Sequence, residues 1–166
     1  MSKSPKSPAT EFVWGSIAEA QVHGIEDMLI TEHEETGRPD QPPLDIDWPR
    51  YQMLERMGMY VVVFALHGGA LVGYRGFFLD PSIHYQSLKW AVNDILYVDP
   101  DHRQSWIGWQ LIRKSDEMLK TKGVHMVVQA DRKAHKLAAG KARATLGDLL
   151  IREGYSPLET VYTKRL

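Results

Sequence analysis

The feature that most constrains the fold is an apolar run at residues 60–66 (YVVVFAL), followed by His67-Gly68-Gly69 and a second apolar run at residues 70–79. β-Branched and aromatic residues favour strands, and paired glycines favour a tight turn, so we predict a β-hairpin. The first run does not alternate with polar residues, which indicates that both of its faces are buried. A strand buried on both faces requires a sheet with helices on both sides.

The flanking segments extend this hairpin into an α/β (α+β) fold. Ser16-Ile17-Ala18-Glu19 has the pattern of a capping box and predicts a helix to about Glu34, while Asp47-Trp48-Pro49 predicts a short helix ending at Gly58. Further strands are predicted at residues 90–98, 124–130 and 158–164, and further helices at residues 107–123 and 134–153. The result is a mixed, mostly antiparallel central sheet with a βαβ core.

Length and composition restrict the classes of protein. The 166 residues suit one domain, preceded by a flexible tail over residues 1–10, and 43% hydrophobic with 25% charged residues is typical of a soluble globular protein. With no cysteine there is no thiolate nucleophile and no cysteine-ligated zinc or iron–sulfur site. A net charge of -1 gives no overall field to attract nucleic acid or membrane. We expect a cytoplasmic protein, because no signal-type or membrane-spanning segment is evident.

The segment with the clearest chemical signal is the junction at residues 98–111 (VDPDHRQSWIGWQL), where a buried strand stops at a proline and continues as a helix. Backbone N–H groups at a helix N-terminus attract anions such as a diphosphate, and Arg103 would add a charged hydrogen bond. Neither the Walker pattern nor the dinucleotide glycine pattern is present.

This junction resembles that of the GNAT superfamily of acetyl-CoA-dependent N-acetyltransferases. Val98-Asp99-Pro100 and the stretch from Arg103 to Gly108 match the family's V-x-P and R/Q-x-x-G-x-G/A patterns in the right order. The order of elements and the ending around Gly154 and Tyr155 are also similar to the family, so residues 11–166 would form a single GNAT-like domain. Small phage-encoded proteins resemble this chain as well.

The resemblance implies acetyl-CoA as cosubstrate and direct attack of an amine on the thioester. It implies that strand 4 splays from strand 5, so that backbone N–H groups of strand 4 hold the pantetheine arm and the carbonyl oxygen. The cofactor-binding residues would be Leu96, Tyr97, Val98, Arg103, Gln104, Ser105, Trp106, Ile107, Gly108 and Trp109. Two positions depart from the family: Trp106 replaces the first loop glycine, and Leu150 replaces the tyrosine that protonates the thiolate. Tyr155 or Tyr162 would take over that proton, or the thiolate leaves unassisted.

Asp94 is the candidate catalytic base, because it interrupts an apolar strand. With a two-residue period it would share a face with Leu96 and Val98. It is equally compatible with a buried partner of an arginine such as Arg75. Gln129 is a weaker candidate that would position water. Trp106 and Trp109 either stack on adenine or pack in a core.

A second functional class stays open. Residues 132–143, from Arg132 to Arg143, carry five cations and no acid, so a GNAT-shaped protein without catalysis would use this face to bind nucleic acid or an acidic partner. The leading prediction is instead an acyltransferase acting on a primary amine of a small molecule or of a protein lysine or N-terminus. We expect neither a membrane nor a nucleic acid as its partner, and a homodimer is compatible with the sequence. The histidines show no metal-ligand spacing, so no metal site is predicted.

Overall fold

The computed structural model describes residues 9–37, 41–81, 84–131 and 145–159. The chain divides into two compact units, residues 1–136 and residues 137–166. The predicted tail over residues 1–8 lies outside the described residues, and the first strand begins at Thr10, the last residue assigned to that tail. In the described ranges, no helix combines the length and the apolar character needed to cross a membrane.

The first unit is built on a five-stranded sheet. Its strands are β1 (Thr10–Gly15), β2 (Tyr60–His67), β3 (Ala70–Pro81), β4 (Lys89–Val98) and β5 (Met126–Val128). They lie in the order β1-β2-β3-β4-β5, with antiparallel pairs except for the parallel pair β4-β5. The predicted hairpin is β2-β3, and the predicted mixed, mostly antiparallel sheet is confirmed.

Helices cover both faces of this sheet. The helices α1 (Ile17–Val22), α2 (Ile25–Thr36) and α3 (Trp48–Arg56) pack on one face, and α4 (Ile107–Thr121) packs on the other. β2 alternates between the two cores, since Val62 and Phe64 face the first while Val63 and Ala65 face the second. These four side chains are at most 2% exposed, which confirms the predicted burial of β2 on both faces.

The first helical segment differs from the prediction. Ser16 and Glu19 do form the capping box, but the single helix expected to about Glu34 is divided into α1 and α2. Gly24 lies between them with φ of 75°, a left-handed conformation that ends one helix and redirects the next. The strand β1 was not predicted, and β5 is shorter than the predicted residues 124–130.

The second unit contains α5 (Leu146–Arg152) among its described residues. Thr145 and Asp148 form a capping box at its start, and Gly154 ends it with φ of 89°. Most of the predicted helix at residues 134–153 precedes this start, and residues 132–144 lie outside the described residues. The predicted last strand at residues 158–164 falls largely outside them too.

Candidate functional site

The strands β4 and β5 separate after a short parallel contact. Only Trp90–Val92 pairs with Met126–Val128, whereas β4 continues to Val98 and pairs with β3 along its length. Among the described residues, no strand therefore pairs with the β5 side of β4 from Asn93 onward, and we call this stretch of edge the gap. A β-edge without a neighbouring strand presents backbone donors and acceptors that an extended ligand can bind.

A β-bulge marks the start of this gap. Gly76 of β3 pairs with Ile95, and the next residue, Phe77, pairs with Asn93, so Asp94 is the extra residue of β4. The Asn93 side chain stabilises the bulge by donating from Nδ2 to the carbonyl oxygens of Ile95 at 2.9 Å and Gly76 at 3.3 Å. A bulge re-aims a side chain, and here the re-aimed side chain is the carboxylate of Asp94.

Asp94 lies among tyrosines. Tyr51 of α3 donates a hydrogen bond from Oη to Asp94 Oδ2 at 2.8 Å, and Tyr60 of β2 donates to the same oxygen at 3.1 Å. Burial first, and then the Asp94 charge, raises the pKa of both tyrosines, so each remains a hydrogen-bond donor at neutral pH. Among the described residues, Asp94 Oδ1 receives no donor and is available to a further partner.

The predicted face of Asp94 is wrong. Strict alternation puts it with Leu96 and Val98, but those two side chains pack against the α4 core, while Asp94 bonds tyrosines that belong to or pack against the α1–α3 core. The bulge is the physical reason, because one extra residue reverses the side-chain alternation along the rest of the strand.

Arg75 is fully buried on the α4 side of the sheet. Its Nη1 donates to Asp116 Oδ1 at 2.8 Å, Ser115 Oγ at 2.8 Å and the carbonyl oxygen of Ile112 at 3.2 Å. Its Nε and Nη2 both donate to Gln129 Oε1. The sequence left open that Arg75 pairs with Asp94, but the ion-pair partner of Arg75 is Asp116.

Gln129 connects this buried charge to the bulge. It directly follows β5, accepts from Arg75 through Oε1, and donates from Nε2 to Asn93 Oδ1 at 2.8 Å and to the carbonyl oxygen of Ala130 at 3.0 Å. Both N–H groups of this amide are therefore engaged. Gln129 is thus a structural link between β3, β4 and the end of β5, and its predicted role in positioning water stays a prediction.

The predicted cofactor residues lie at the end of β4, in the loop between β4 and α4, and in the first turn of α4. Ser105 Oγ donates to the carbonyl oxygen of His102 and accepts from the Ile107 N–H at 3.2 Å. Trp106 is the N-cap residue of α4 and provides no side-chain cap. The helix start thus retains the anion-attracting character of an N-terminus. Gly108 has space at its Cα, where an added Cβ would meet only Val98 Cγ2 at 3.6 Å.

Arg103 is held on the same loop. Its Nε donates to the carbonyl oxygen of Val98 at 2.7 Å, its Nη1 forms a 2.8 Å ion pair with Glu35 of α2, and its guanidinium lies 5.5 Å from the Tyr97 ring centre. The ion pair joins two half-exposed side chains, so Arg103 is positioned at the loop and also partly neutralised there.

The two tryptophans of the loop project differently. The Trp106 indole is 72% exposed, and its ring centre lies 5.8 Å from that of Trp109 in an edge-to-face arrangement. Trp109 is half-buried and Arg113 lies 5.5 Å from its ring centre. The side chain of Gln104 is exposed, whereas those of Ile107 and Tyr97 are buried in the cores, so only the backbone groups of these two residues could contact a cosubstrate.

The remaining predicted residues belong to the second unit or lie outside the described residues. Tyr155 follows Gly154 after α5, and its N–H donates to the carbonyl oxygen of Leu150 at 3.0 Å. Tyr162 and the basic stretch at residues 132–143 are outside the described residues. Asp94 and the β4–α4 loop are therefore the predicted site elements that the first unit carries.

Comparison with known proteins identifies the architecture. The family model of the acetyltransferase (GNAT) family matches residues 22–141, which is more than half of the chain and includes β4, the loop and α4. This chain belongs to the GNAT acetyltransferase family. Members of the GNAT family use acetyl-CoA. The open β4 edge fits such a cosubstrate, and so does the α4 start, where Trp106 provides no side-chain cap and Ser105 Oγ accepts from the Ile107 N–H. No curated protein matches the sequence significantly.

Solved structures of acetyltransferases resemble this protein over nearly the whole chain. The ribosomal-protein-alanine N-acetyltransferase from Brucella melitensis biovar Abortus 2308 has a TM-score of 0.70 at 19% identity, covering 95% of this chain and 98% of that one. An aminoglycoside acetyltransferase from an uncultured soil metagenomic sample, in complex with sisomicin, has a TM-score of 0.61 at 18% identity, covering 94% and 97%. A predicted acetyltransferase with acetyl-CoA from Clostridium acetobutylicum has a TM-score of 0.65 at 10% identity, covering 95% of this chain and 96% of that one. At these identities the likeness concerns the fold.

Sequence reasoning missed the partners of Asp94 and the buried network. Tyr51 and Tyr60 are 43 and 34 residues from Asp94, so no local spacing connects them. One signal was present: adjacent polar residues, Asn93 and Asp94, in an otherwise apolar strand are typical of a bulge. Gly76 was a second signal, because a glycine inside a strand marks a close approach, here by the Tyr60 hydroxyl.

Proposed function

We propose that the protein transfers an acetyl group from acetyl-CoA to a primary amine. The observation that carries this proposal is the open β4 edge next to the α4 N-terminus, with the Asp94 carboxylate at the bulge that begins the opening. The β4 backbone would hold the pantetheine arm, and the loop from Arg103 to Trp109 would hold the diphosphate.

Asp94 would act as the base. An alkyl ammonium with a pKa near 10.4 loses its proton at pH 7 at a cost of about 4–5 kcal/mol, so a carboxylate that accepts this proton would assist the reaction as a general base. The proton passes to Asp94 Oδ1, which no described donor occupies, while Tyr51 and Tyr60 hold Oδ2 and thereby fix the carboxylate plane. These tyrosines are positioning residues.

The transfer itself needs few further groups. The amine nitrogen forms a bond to the thioester carbonyl carbon, the carbon–sulfur bond breaks, and the electron pair leaves with the thiolate. Backbone N–H groups of β4 near Leu96 and Val98 would stabilise the negative oxygen that develops. Tyr155 or Tyr162 would supply a proton to the thiolate, or the thiolate leaves unassisted.

Binding and turnover of acetyl-CoA test the proposal separately. Calorimetry should give saturable acetyl-CoA binding, and mass spectrometry after incubation with amines should give products heavier by one acetyl group. Asp94→Asn should abolish turnover without changing the affinity for acetyl-CoA. Asp80→Asn, at an exposed position on β3, is the matched control and should retain activity. No heat at millimolar acetyl-CoA would refute the proposal.

A further inference from the structure

Tyr74 of β3 has a buried hydroxyl that the protein leaves unpaired. The residue is 1% exposed, and its Oη has no hydrogen-bond partner among the described residues. Its ring lies 5.9 Å from that of Tyr97, on the face of the sheet that α1, α2 and α3 cover. An unsatisfied buried hydroxyl is costly, and a phenylalanine would avoid that cost. A bound ligand could therefore supply the hydrogen-bond partner that the described residues do not give this hydroxyl.

Two carboxylates act on this hydroxyl. After burial, the negative charges of Glu32 and Asp94 contribute to raising the pKa of Tyr74, so the hydroxyl is neutral at all ordinary pH values. Glu32 lies on α2, half-buried, with its Oε1 accepting a 2.9 Å hydrogen bond from Thr36. A neutral oxygen within the field of two carboxylates favours a ligand that is positively charged and donates hydrogen bonds.

Aromatic rings adjoin the Asp94 carboxylate. The ring centres of Tyr51 and Tyr60 are 5.0 Å apart, those of Tyr60 and Phe78 are 5.1 Å apart, and Trp48 lies 6.1 Å from Tyr51. Ring faces attract an ammonium group and do not attract an anion. The combination of carboxylate and aromatic rings matches a cationic amine.

The chain segment that leads to this site is strongly acidic. The described residues of this segment, 25–37 and 41–47, carry no lysine or arginine, and their acidic residues are Glu26, Asp27, Glu32, Glu34, Glu35, Asp45 and Asp47. Arg103 pairs with Glu35, but the net charge of the segment remains negative. Such a field raises the local concentration of cations and opposes phosphorylated or carboxylated acceptors.

We propose that the acceptor is an amine with at least one further amino group, and that Asp94 binds the reacting amine while Tyr74 and Glu32 bind the second ammonium. This inference rests on the proposed function and names the acceptor class for the same site. The second ammonium would donate one hydrogen bond to Tyr74 Oη and pair with the charge of Glu32. An acceptor with an apolar distal group would leave the hydroxyl unpaired, and one with an anionic distal group would be repelled by the charges of Glu32 and Asp94.

Matched small amines test this directly in the full-length protein. Acetylation of putrescine and cadaverine should exceed that of n-butylamine in kcat/KM by about tenfold or more, and γ-aminobutyrate should be the poorest acceptor. Tyr74→Phe should lower kcat/KM for the two diamines by about tenfold and for n-butylamine by less than about twofold. Its free energy of unfolding should be unchanged or higher, which separates a ligand role from a structural one. Glu32→Gln should follow the same pattern.

The outcomes separate two failures. Absence of acetyl-CoA binding would overturn the proposed function and this inference together. If acetyl-CoA binds but the diamines are no better than n-butylamine, or none of these amines is acetylated, the acceptor class is wrong while the cosubstrate stands. Equal loss for diamines and n-butylamine in Tyr74→Phe would also overturn the second-ammonium subsite. Calorimetry with putrescine alone gives a readout that does not depend on turnover, and its binding should weaken in Tyr74→Phe.

Discussion

The Arg75 guanidinium and the Gln129 amide are joined by two hydrogen bonds, from Nη2 at 2.9 Å and Nε at 3.2 Å, both to Oε1. The same amide donates to Asn93, whose side chain caps two carbonyl oxygens at the β4 bulge. A buried charge on β3 is thus connected to the point where β4 leaves β5. The geometry of the gap depends on a side-chain amide located outside the strand that forms the gap.

Gln129→Leu should therefore destabilise the protein by about 1–3 kcal/mol, because Arg75 and Asn93 lose partners that water does not fully replace. Chemical denaturation measures this change. Gln52→Leu is the matched control, since Gln52 makes an exposed hydrogen bond to Gln21, and it should change the free energy of unfolding by less than about 0.5 kcal/mol. Equal effects of the two substitutions would show that the network is not important for stability.

Gly76 and Tyr60 should be energetically coupled. A Cβ at Gly76 would collide with the Tyr60 hydroxyl, so Gly76→Ala should displace that hydroxyl from Asp94 and destabilise the fold. In a Tyr60→Phe background the colliding oxygen is absent, and the same substitution should cost at least about 1 kcal/mol less. A double-mutant cycle of unfolding free energies measures the coupling. Additive effects within about 0.5 kcal/mol would contradict it.

Glu35→Gln should strengthen binding of coenzyme A. The substitution removes the carboxylate that pairs with Arg103 at 2.8 Å, which leaves the guanidinium for a phosphate. The expected gain is about threefold in Kd, comparable with a half-exposed ion pair, and it should shrink as salt is added. Calorimetry checks it, with Glu34→Gln on the exposed side of the same helix as the control. Weaker binding in Glu35→Gln would mean that the ion pair organises the loop.

Stability should decline above pH 10. Burial raises the pKa of Tyr51, Tyr60 and Tyr74 in the folded state above the ordinary value of 10.0, while the unfolded chain titrates near that value. Between the unfolded and folded pKa values the native state holds more protons, so the free energy of unfolding falls as pH rises. The contribution is fully present below pH 10. Denaturation at successive alkaline pH values should show a shallower decline for Tyr60→Phe.

The sequence was sufficient to predict β2, β3, β4 and α4, because local patterns determine them, whereas it did not predict β1. The apolar run of β2, the glycine turn after it and the periodicity of α4 are each determined within a few residues. The site was less predictable. The bulge at Asp94 reverses the side-chain alternation on which strand reasoning depends, and the contacts of Asp94 with Tyr51 and of Arg103 with Glu35 join residues 43 and 68 positions apart.

The division of the first helix shows the same limit. Ser16 and Glu19 fixed where it starts, and the residues after Gly24 continue a helical pattern, so nothing local required a break there. Gly24 adopts a left-handed φ that other residues rarely take, and both α1 and α2 contribute buried residues to the same core. The hydrophobic periodicity predicts which residues are helical, but it does not predict where one helix ends and the next begins.

Because β5 pairs with only three residues of β4, a bound molecule would change the protection of the β4 backbone from hydrogen exchange. Beyond Val92, where no described strand pairs with this edge of β4, the amides of a cosubstrate's extended arm would continue the hydrogen-bond ladder. Slowed hydrogen exchange along β4 upon saturation would then report occupancy residue by residue, because the backbone itself is the recognition surface.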